Sequence, residues 1–253
     1  MKKFWILLIA ASLATAASAA EKKAAKAAEK PTAKPAFATT LNAGLTMTDG
    51  NSETLAANAS LVTEGEKEGL GSVRAGVEGN YGESTVNDEK ETTVENAKVF
   101  ANVKKTLTPR TFAVLDGSVL YDDVALVDYR VTLGPGLGVY LVKSDKHELS
   151  LEIGPSYVWE KVDGATDDFL ALRIAERGSC QITDNTKFVQ SVEYVPNTED
   201  FNDYLITAEA GVETAMSERW SLRVVLQDKY DSTPAADAEH NDISLIAGVA
   251  FTL

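Results

Sequence analysis

A single cysteine, Cys180, stands in 253 residues. No internal disulfide is possible, so nothing staples the fold. Only two histidines, His147 and His240, are available as imidazole bases or metal ligands. Positive charge is also short, with 24 Lys and Arg against 38 Asp and Glu, a net charge of −14. An acidic body of this kind does not suggest a nucleic-acid partner. Long apolar runs are missing beyond the first residues. After residue 19 no segment approaches the roughly 20 apolar residues of a membrane helix. What remains is a soluble protein or a β-barrel.

The N-terminus reads as an export signal, residues 1–19. Lys2 and Lys3 precede an apolar core from Phe4 to Leu13, and Ala17-Ser18-Ala19 fits the small-x-small cleavage pattern. The next stretch, residues 20–37, is rich in Ala, Lys and Pro. Its five lysines and two glutamates between Ala20 and Ala36 give a local +3. It has no apolar face to bury. It is expected to be a periplasmic linker or, in a sharper reading, a basic arm that enters an acidic barrel or docks on the cell wall.

From residue 38 to residue 253 the pattern alternates at period two. Twelve segments can be counted, near 38–49, 52–64, 70–82, 92–106, 110–122, 127–143, 147–160, 168–183, 185–196, 200–216, 219–231 and 239–253. In the seventh, Leu149, Leu151, Ile153, Tyr157 and Trp159 oppose Ser150, Glu152, Ser156 and Glu160. Strands of soluble sandwiches run five or six residues. Segments this long match tilted strands crossing a membrane, apolar outward and polar inward, and an even count suits a single-chain bacterial barrel. The fold class expected is therefore all-β, an antiparallel transmembrane β-barrel of about twelve strands in a bacterial outer membrane.

Two further patterns agree. Connections after even strands are mostly tight, such as Thr108-Pro109 and Ser217-Glu218. Those after odd strands look longer and acidic, such as Glu83 to Glu91, Asp163 to Asp168, Pro196 to Asp203 and Ser232 to Asp242. Short periplasmic turns and long outer loops are the barrel rule. The hairpin Asp49-Gly50-Asn51-Ser52 and the connection Glu64 to Gly69 break it. Aromatics collect near the two ends of the strands, with Phe37, Phe112, Tyr140, Phe188, Trp220 and Phe251 toward the periplasm. Tyr81, Tyr121, Tyr129, Tyr157, Trp159, Phe169, Tyr194, Phe201, Tyr204 and Tyr230 lie toward the outside. Two girdles are expected at the lipid–water boundaries. Only Phe100 falls mid-strand.

The stretch Gly44-Leu45-Thr46-Met47-Thr48-Asp49-Gly50-Asn51-Ser52-Glu53-Thr54, the run Gly134-Pro135-Gly136-Leu137-Gly138 and the alternating last strand resemble the salt-induced outer-membrane protein family. The resemblance covers roughly residues 38–253. It implies an outer-membrane β-barrel domain, an envelope-stress role and no catalytic residues. Barrels of this kind usually end in an aromatic that the assembly machinery reads. Here the last residue is Leu253, with Phe251 two before it.

Parity assigns Arg74, Glu78, Lys98, Asp116, Arg130, Glu152, Arg173, Arg177, Glu209, Glu213 and Arg223 to the lumen. Both signs are present. They form either a network of paired charges, since a charge taken from water needs a partner, or the wall of a water-filled passage selecting solutes by charge. Glu176 shares parity with the lipid-facing Leu170, Leu172 and Ile174, so a local bulge is expected there. Gly134, Gly136 and Gly138 face inward, leaving room or letting the wall bend. Pro135 and Pro155 fall about opposite each other, which predicts a kink or a side opening.

Enzymatic chemistry finds little support. His240, near Ser232 in sequence, has the height of a surface hydrolase base, but no nucleophile elbow accompanies it. No metal-ligand spacing appears, and no cofactor is implied. The expectation is a non-enzymatic barrel with a structural or envelope-stress role. The alternative is a solute-permeable, porin-like channel, and a lipid-handling enzyme is remote. Expected partners are outer-membrane lipid and lipopolysaccharide, and the barrel-assembly machinery during insertion.

Overall fold

A computed structural model describes residues 37–48, 53–67, 70–86, 89–235 and 238–253. The export signal, linker residues 20–36 and the hairpin turn at 49–52 lie outside the described residues. Twelve strands follow in order: β1 Phe37–Thr48, β2 Glu53–Lys67, β3 Gly71–Val86, β4 Glu89–Thr106, β5 Thr111–Asp122, β6 Val127–Lys143, β7 His147–Val162, β8 Ala165–Gln181, β9 Thr186–Pro196, β10 Tyr204–Ala215, β11 Trp220–Asp231 and β12 Asn241–Thr252. Each pairs antiparallel with its sequence neighbours, and β1 pairs with β12 to close the barrel.

The alternation in sequence becomes two faces of one wall. Along β7, Ser150, Glu152 and Ser156 are buried in the lumen, whereas Leu151, Ile153 and Trp159 are exposed on the outside. Along β11, Ser221, Val225 and Gln227 turn inward against outward Trp220, Leu222, Val224 and Leu226. An apolar outer belt of this extent is unstable in water and suits hydrocarbon.

The connections differ from the sequence expectation in an instructive way. The outer hairpins are long because their strands continue past the belt. Between β7 and β8 only Asp163-Gly164 remains as a turn, with φ values of 49° and 74°. Two positive φ angles match the right-handed twist of a hairpin, and Asp-Gly supplies them at little cost. The acidic stretch Glu83 to Glu91 is likewise mostly strand. On the other side β2 runs to Lys67, so the expected long connection shrinks to residues 68–70. Extended outer loops remain at 197–203 and 232–240.

Glu176 produces no bulge. The β7–β8 register runs unbroken from His147↔Cys180 to Val162↔Ala165. Glu176 therefore stays on the outer face, where Gln190 Nε2 donates to both its carboxylate oxygens at 3.1 Å.

The β6–β7 ladder is interrupted between Leu133↔Tyr157 and Leu137↔Ile153, where neither Pro135 nor Pro155 has an N–H to donate. No side opening results. A Cβ at Gly134 would stand 2.3 Å from Pro155 O, and one at Gly154 would stand 2.1 Å from Pro135 O. The glycines let the two backbones close onto each other where the hydrogen bonds stop.

Part of the expected aromatic girdle also turns inward. Phe112, 1% exposed, packs in the lumen against Tyr140 at 4.8 Å between ring centroids. The Phe112 ring occupies the space that Gly138 leaves empty, since a Cβ there would lie 2.2 Å from its Cζ. Phe169 packs against a small apolar cluster of Val158, Ala171 and Val195. On the outer face, Tyr194, Tyr204 and Tyr230 form a ladder at 5.5 and 5.8 Å, and Trp220 meets Phe251 at 4.7 Å.

Candidate functional site

The lumen has two unlike regions. Along β4, β5, β7, β8 and β9, charges cross-link the barrel. Arg173 Nη1 donates to Glu152 at 3.0 Å and its Nε donates to Glu193 at 2.7 Å, with Asp116 at 3.4 Å. Lys104 Nζ reaches Glu152 at 2.8 Å, and Arg177 lies 3.8–3.9 Å from Asp116, Glu152 and Glu193. Asn102 completes the group by donating to Asp116 at 2.7 Å. Glu152 is 1% exposed. A carboxylate this deep is tolerated only because cations on two strands and across the lumen surround it.

Lys104 also lies 4.6 Å from the Phe112 ring centroid, which ties the network to the inward aromatics below it. Toward the outside, two further pairs span the barrel. Arg130 of β6 joins Glu160 and reaches Asp231 of β11 at 3.0 Å. Lys229 of β11 reaches Asp122 of β5 at 3.4 Å.

Elsewhere the lumen is hollow, and its cavities are walled by strands on every side of the barrel. A cavity of about 120 Å³ is lined by Arg74, Glu78, Lys98, Glu209 and Arg223 among others. A second, about 190 Å³, lies toward the periplasmic end and adds Glu64, Lys187 and Glu213. A third, about 120 Å³, lies under the outer loops with Arg130, Lys229 and His240 in its wall. Each has room for several waters. The first and second share Asn42, Arg74, Arg177, Glu209 and Arg223; the first and third share Lys98, Glu193 and Gln227. Side-chain amides keep the wall polar: Asn42 donates to Ser60 at 2.9 Å, Asn80 to Asn96 at 2.8 Å and Gln227 to Glu209 at 2.7 Å. Glu213 accepts from Ser221 Oγ at 3.0 Å. Arg74 lies over the Phe100 ring at 4.7 Å, so the one mid-strand aromatic is luminal.

The structure places the eleven residues selected by parity in three overlapping groups. Asp116, Glu152, Arg173 and Arg177 join one network, and Arg130 belongs to the outer cross-lumen pairs. Arg74, Glu78, Lys98, Glu209, Glu213 and Arg223 line the cavities, whose walls also include Asp116, Arg177 and Arg130. Parity selection omitted Lys104, Asp122, Glu160, Glu193, Lys229 and Asp231, six luminal charges that complete the ion pairs. The same alternation marks them. Lys104 follows Lys98 and Asn102 at even positions of β4, and Glu193 precedes Val195 at odd positions of β9.

Ser232 and His240 are held by different partners. Ser232 Oγ accepts from the Tyr204 N–H at 2.6 Å, and His240 Nδ1 lies 2.9 Å from Asp231 O while its ring stacks on Tyr230. Among the described residues no group of three or more His, Cys, Asp or Glu is placed to hold a metal ion.

Residues 41–253 match the family described as "Protein of unknown function, DUF481". The chain belongs to the DUF481 family. No curated protein matches it. The fold of this DUF481 barrel is that of outer-membrane barrels. A structure described as the NanC porin in a rhombohedral crystal form superposes with a TM-score of 0.54 at 10% identity, covering 85% of this chain and 100% of that one. The COG4313 outer membrane channel from Pseudomonas putida F1 superposes at 0.50 and 9% identity, covering 87% and 97%. At these identities the likeness concerns the fold.

Proposed function

We propose that this DUF481 barrel is a narrow, solute-permeable channel of the bacterial outer membrane. It is exported by its N-terminal signal, inserted by the barrel-assembly machinery, and surrounded by outer-membrane lipid and lipopolysaccharide. The observation that carries the reading is the series of luminal cavities with shared walls, running from the outer loops toward the periplasmic end. Twelve strands lie between the eight whose side chains fill a barrel and the sixteen that leave an aqueous channel. Here ion pairs fill part of the interior and cavities occupy another part. Arg74, Lys98 and Arg223 beside Glu78 and Glu209 give the passage charges of both signs, so small polar and zwitterionic solutes suit it better than large ions of one charge.

Purified protein in a planar bilayer should give small single-channel steps, and Arg130→Ala should raise them by removing a cross-lumen bridge. A silent bilayer for both proteins would refute the channel reading. A second reading, a plugged barrel that supports the envelope under salt stress, is favoured by the pairs Arg130–Asp231 and Lys229–Asp122, which brace the outer mouth. It requires silent bilayers together with salt sensitivity of cells lacking the protein.

A further inference from the structure

The wall has one short joint. Every other neighbouring pair of strands is in register over at least eight residues. The closing pair β1–β12 is in register over four, from Thr40↔Thr252 to Ala43↔Val249. Just above, the backbones cross closely. A Cβ at Gly44 would stand 2.2 Å from Ala247 O, and one at Gly248 would stand 2.6 Å from Ala43 O. Beyond that crossing Leu45–Thr48 and Ser244–Ala247 have no ladder partner across the joint among the described residues, although each remains paired to its other neighbour. The outward side chains there are unusually bare. Leu45, Met47 and Leu245 are 66–72% exposed, against 39% for Leu151 and 45% for Leu222.

Free strand edges facing hydrocarbon are unfavourable, and irregular backbone at membrane depth is tolerated beside protein or a water-filled cavity. Such a cavity lies behind this joint. Asn42, Ile246 and Gly248 line the first luminal cavity. Asn42 is 8% exposed, and its Oδ1 is buried without a hydrogen-bond donor. Arg223 sits directly across from Gly248 in the β11–β12 register, so the missing side chain leaves its flank open toward the joint. Arg223 and Arg74 form no ion pair among the described residues; Glu209, the carboxylate they flank, is already bonded to Gln227.

We propose that the outer half of the β1–β12 joint is a lateral portal between the luminal cavity and the outer leaflet, and that it takes an amphiphile with an anionic, hydroxyl-bearing head and a hydrocarbon tail. The head sits by Arg223 and Arg74 and donates a hydroxyl to Asn42 Oδ1. The tail leaves between Leu45 and Leu245 into the lipid. The inference rests on the same cavity as the channel reading but holds whether or not the barrel conducts ions along its axis.

The test uses the full-length protein in lipid nanodiscs. In a Cys180→Ser background, Leu45→Cys and Ala247→Cys would face each other if the register continued, and their disulfide would lock the joint. Dodecyl phosphate is the probe, with inorganic phosphate as head alone and dodecanol as tail alone. Native mass spectrometry should show dodecyl phosphate bound to the reduced protein, at least about tenfold weaker binding after oxidation, and recovery with reductant. Arg223→Gln should weaken it similarly, while inorganic phosphate is indifferent to the lock. Amide exchange in the wild type should be fast at Leu45–Thr48 and Ser244–Ala247 and slow along β2 and β3. Equal binding before and after oxidation, or exchange at the joint as slow as in β2, would overturn the portal without touching the channel reading. If the double variant fails to insert, wild-type exchange and Arg223→Gln decide the question.

Discussion

The lumen is built from one alternating pattern throughout, yet it is solid around Glu152, where ion pairs of β4, β5, β7, β8 and β9 meet, and hollow around Arg74, Glu209 and Arg223, which line cavities. On the solid side, long cationic side chains find carboxylates across the barrel, as Lys104 of β4 finds Glu152 of β7. The wall there is also drawn tight, with glycines of β6 and β7 in backbone contact at the proline gap. On the hollow side, Arg74 lies over Phe100, and among the described residues Arg223 makes no ion pair across the lumen. The luminal face of β12 offers small or short side chains, Ser244, Gly248 and Ala250, with Ile246 the largest. A polar lumen is therefore not one environment. What fills it is reach and opposite charge at the right height.

The contrast can be broken most severely at Glu152. Glu152→Leu leaves Lys104 without its carboxylate, while Arg173 and Arg177 keep Asp116 and Glu193. Leaving buried charges unpaired costs about 3–5 kcal/mol. Urea unfolding in detergent should show it, together with loss of resistance to SDS without heating. Glu78→Gln, on the hollow side, should leave both nearly unchanged. Similar losses for the two would mean the sides do not differ.

A smaller effect is expected from charge on the two faces of the wall. Leu222→Arg and Leu151→Arg place a guanidinium in lipid, which costs about 2–4 kcal/mol near the midplane, and should impair folding into vesicles. Thr40→Arg, directed into the cavity that Glu64 and Glu213 also line, should fold normally. Equal yields would overturn the inside–outside assignment.

Glycine substitutions sharpen the same point. Gly138→Ala drives a methyl into the Phe112 ring and should cost about 1–3 kcal/mol as an overpacked site. Gly79→Ala, where the nearest atom to the new Cβ is Asn96 O at 3.7 Å, should be neutral. Thermal unfolding followed by band shift on unheated gels separates them.

The smallest effect belongs to the outer hairpin. Lys90 donates to Glu83 at 2.8 Å, and with Tyr81 holds its carboxyl below the usual carboxylate range. A depressed acid contributes stability above its ordinary pKa and loses it as the pH falls through the lowered value. Both groups are solvated, so salt screens the pair. Glu83→Gln should leave the unfolding midpoint at neutral pH unchanged within error, and acid should then affect the variant and wild type alike. A clear loss at neutral pH would show that the protruding hairpin braces the barrel.

Most of the fold was legible in the residues because a membrane barrel imposes a strict local rule. Apolar and polar residues must alternate in every crossing, and closed strands leave no other way to satisfy the backbone in lipid. All twelve strands, their order and the luminal parity of the eleven selected charges follow from that rule. The two-residue turn Asp163-Gly164 lay hidden in a connection expected to run from Asp163 to Asp168, although Asp-Gly supplies the φ angles such a hairpin requires. Alternation assigns a face and no more. It puts Phe112 and Phe169 on the face of Asp116 and Arg173, but it could not say what they pack against, that Lys104 and Glu193 complete the network, or that Glu176 stays outside without a bulge. It could not tell whether opposite prolines open the wall or glycines close it. Those outcomes depend on which side chain lies across the lumen or the neighbouring strand, at what height and at what reach. Contacts between residues as distant in sequence as Arg130 and Asp231, and the four-residue joint of β1 with β12, exist only once the barrel has closed.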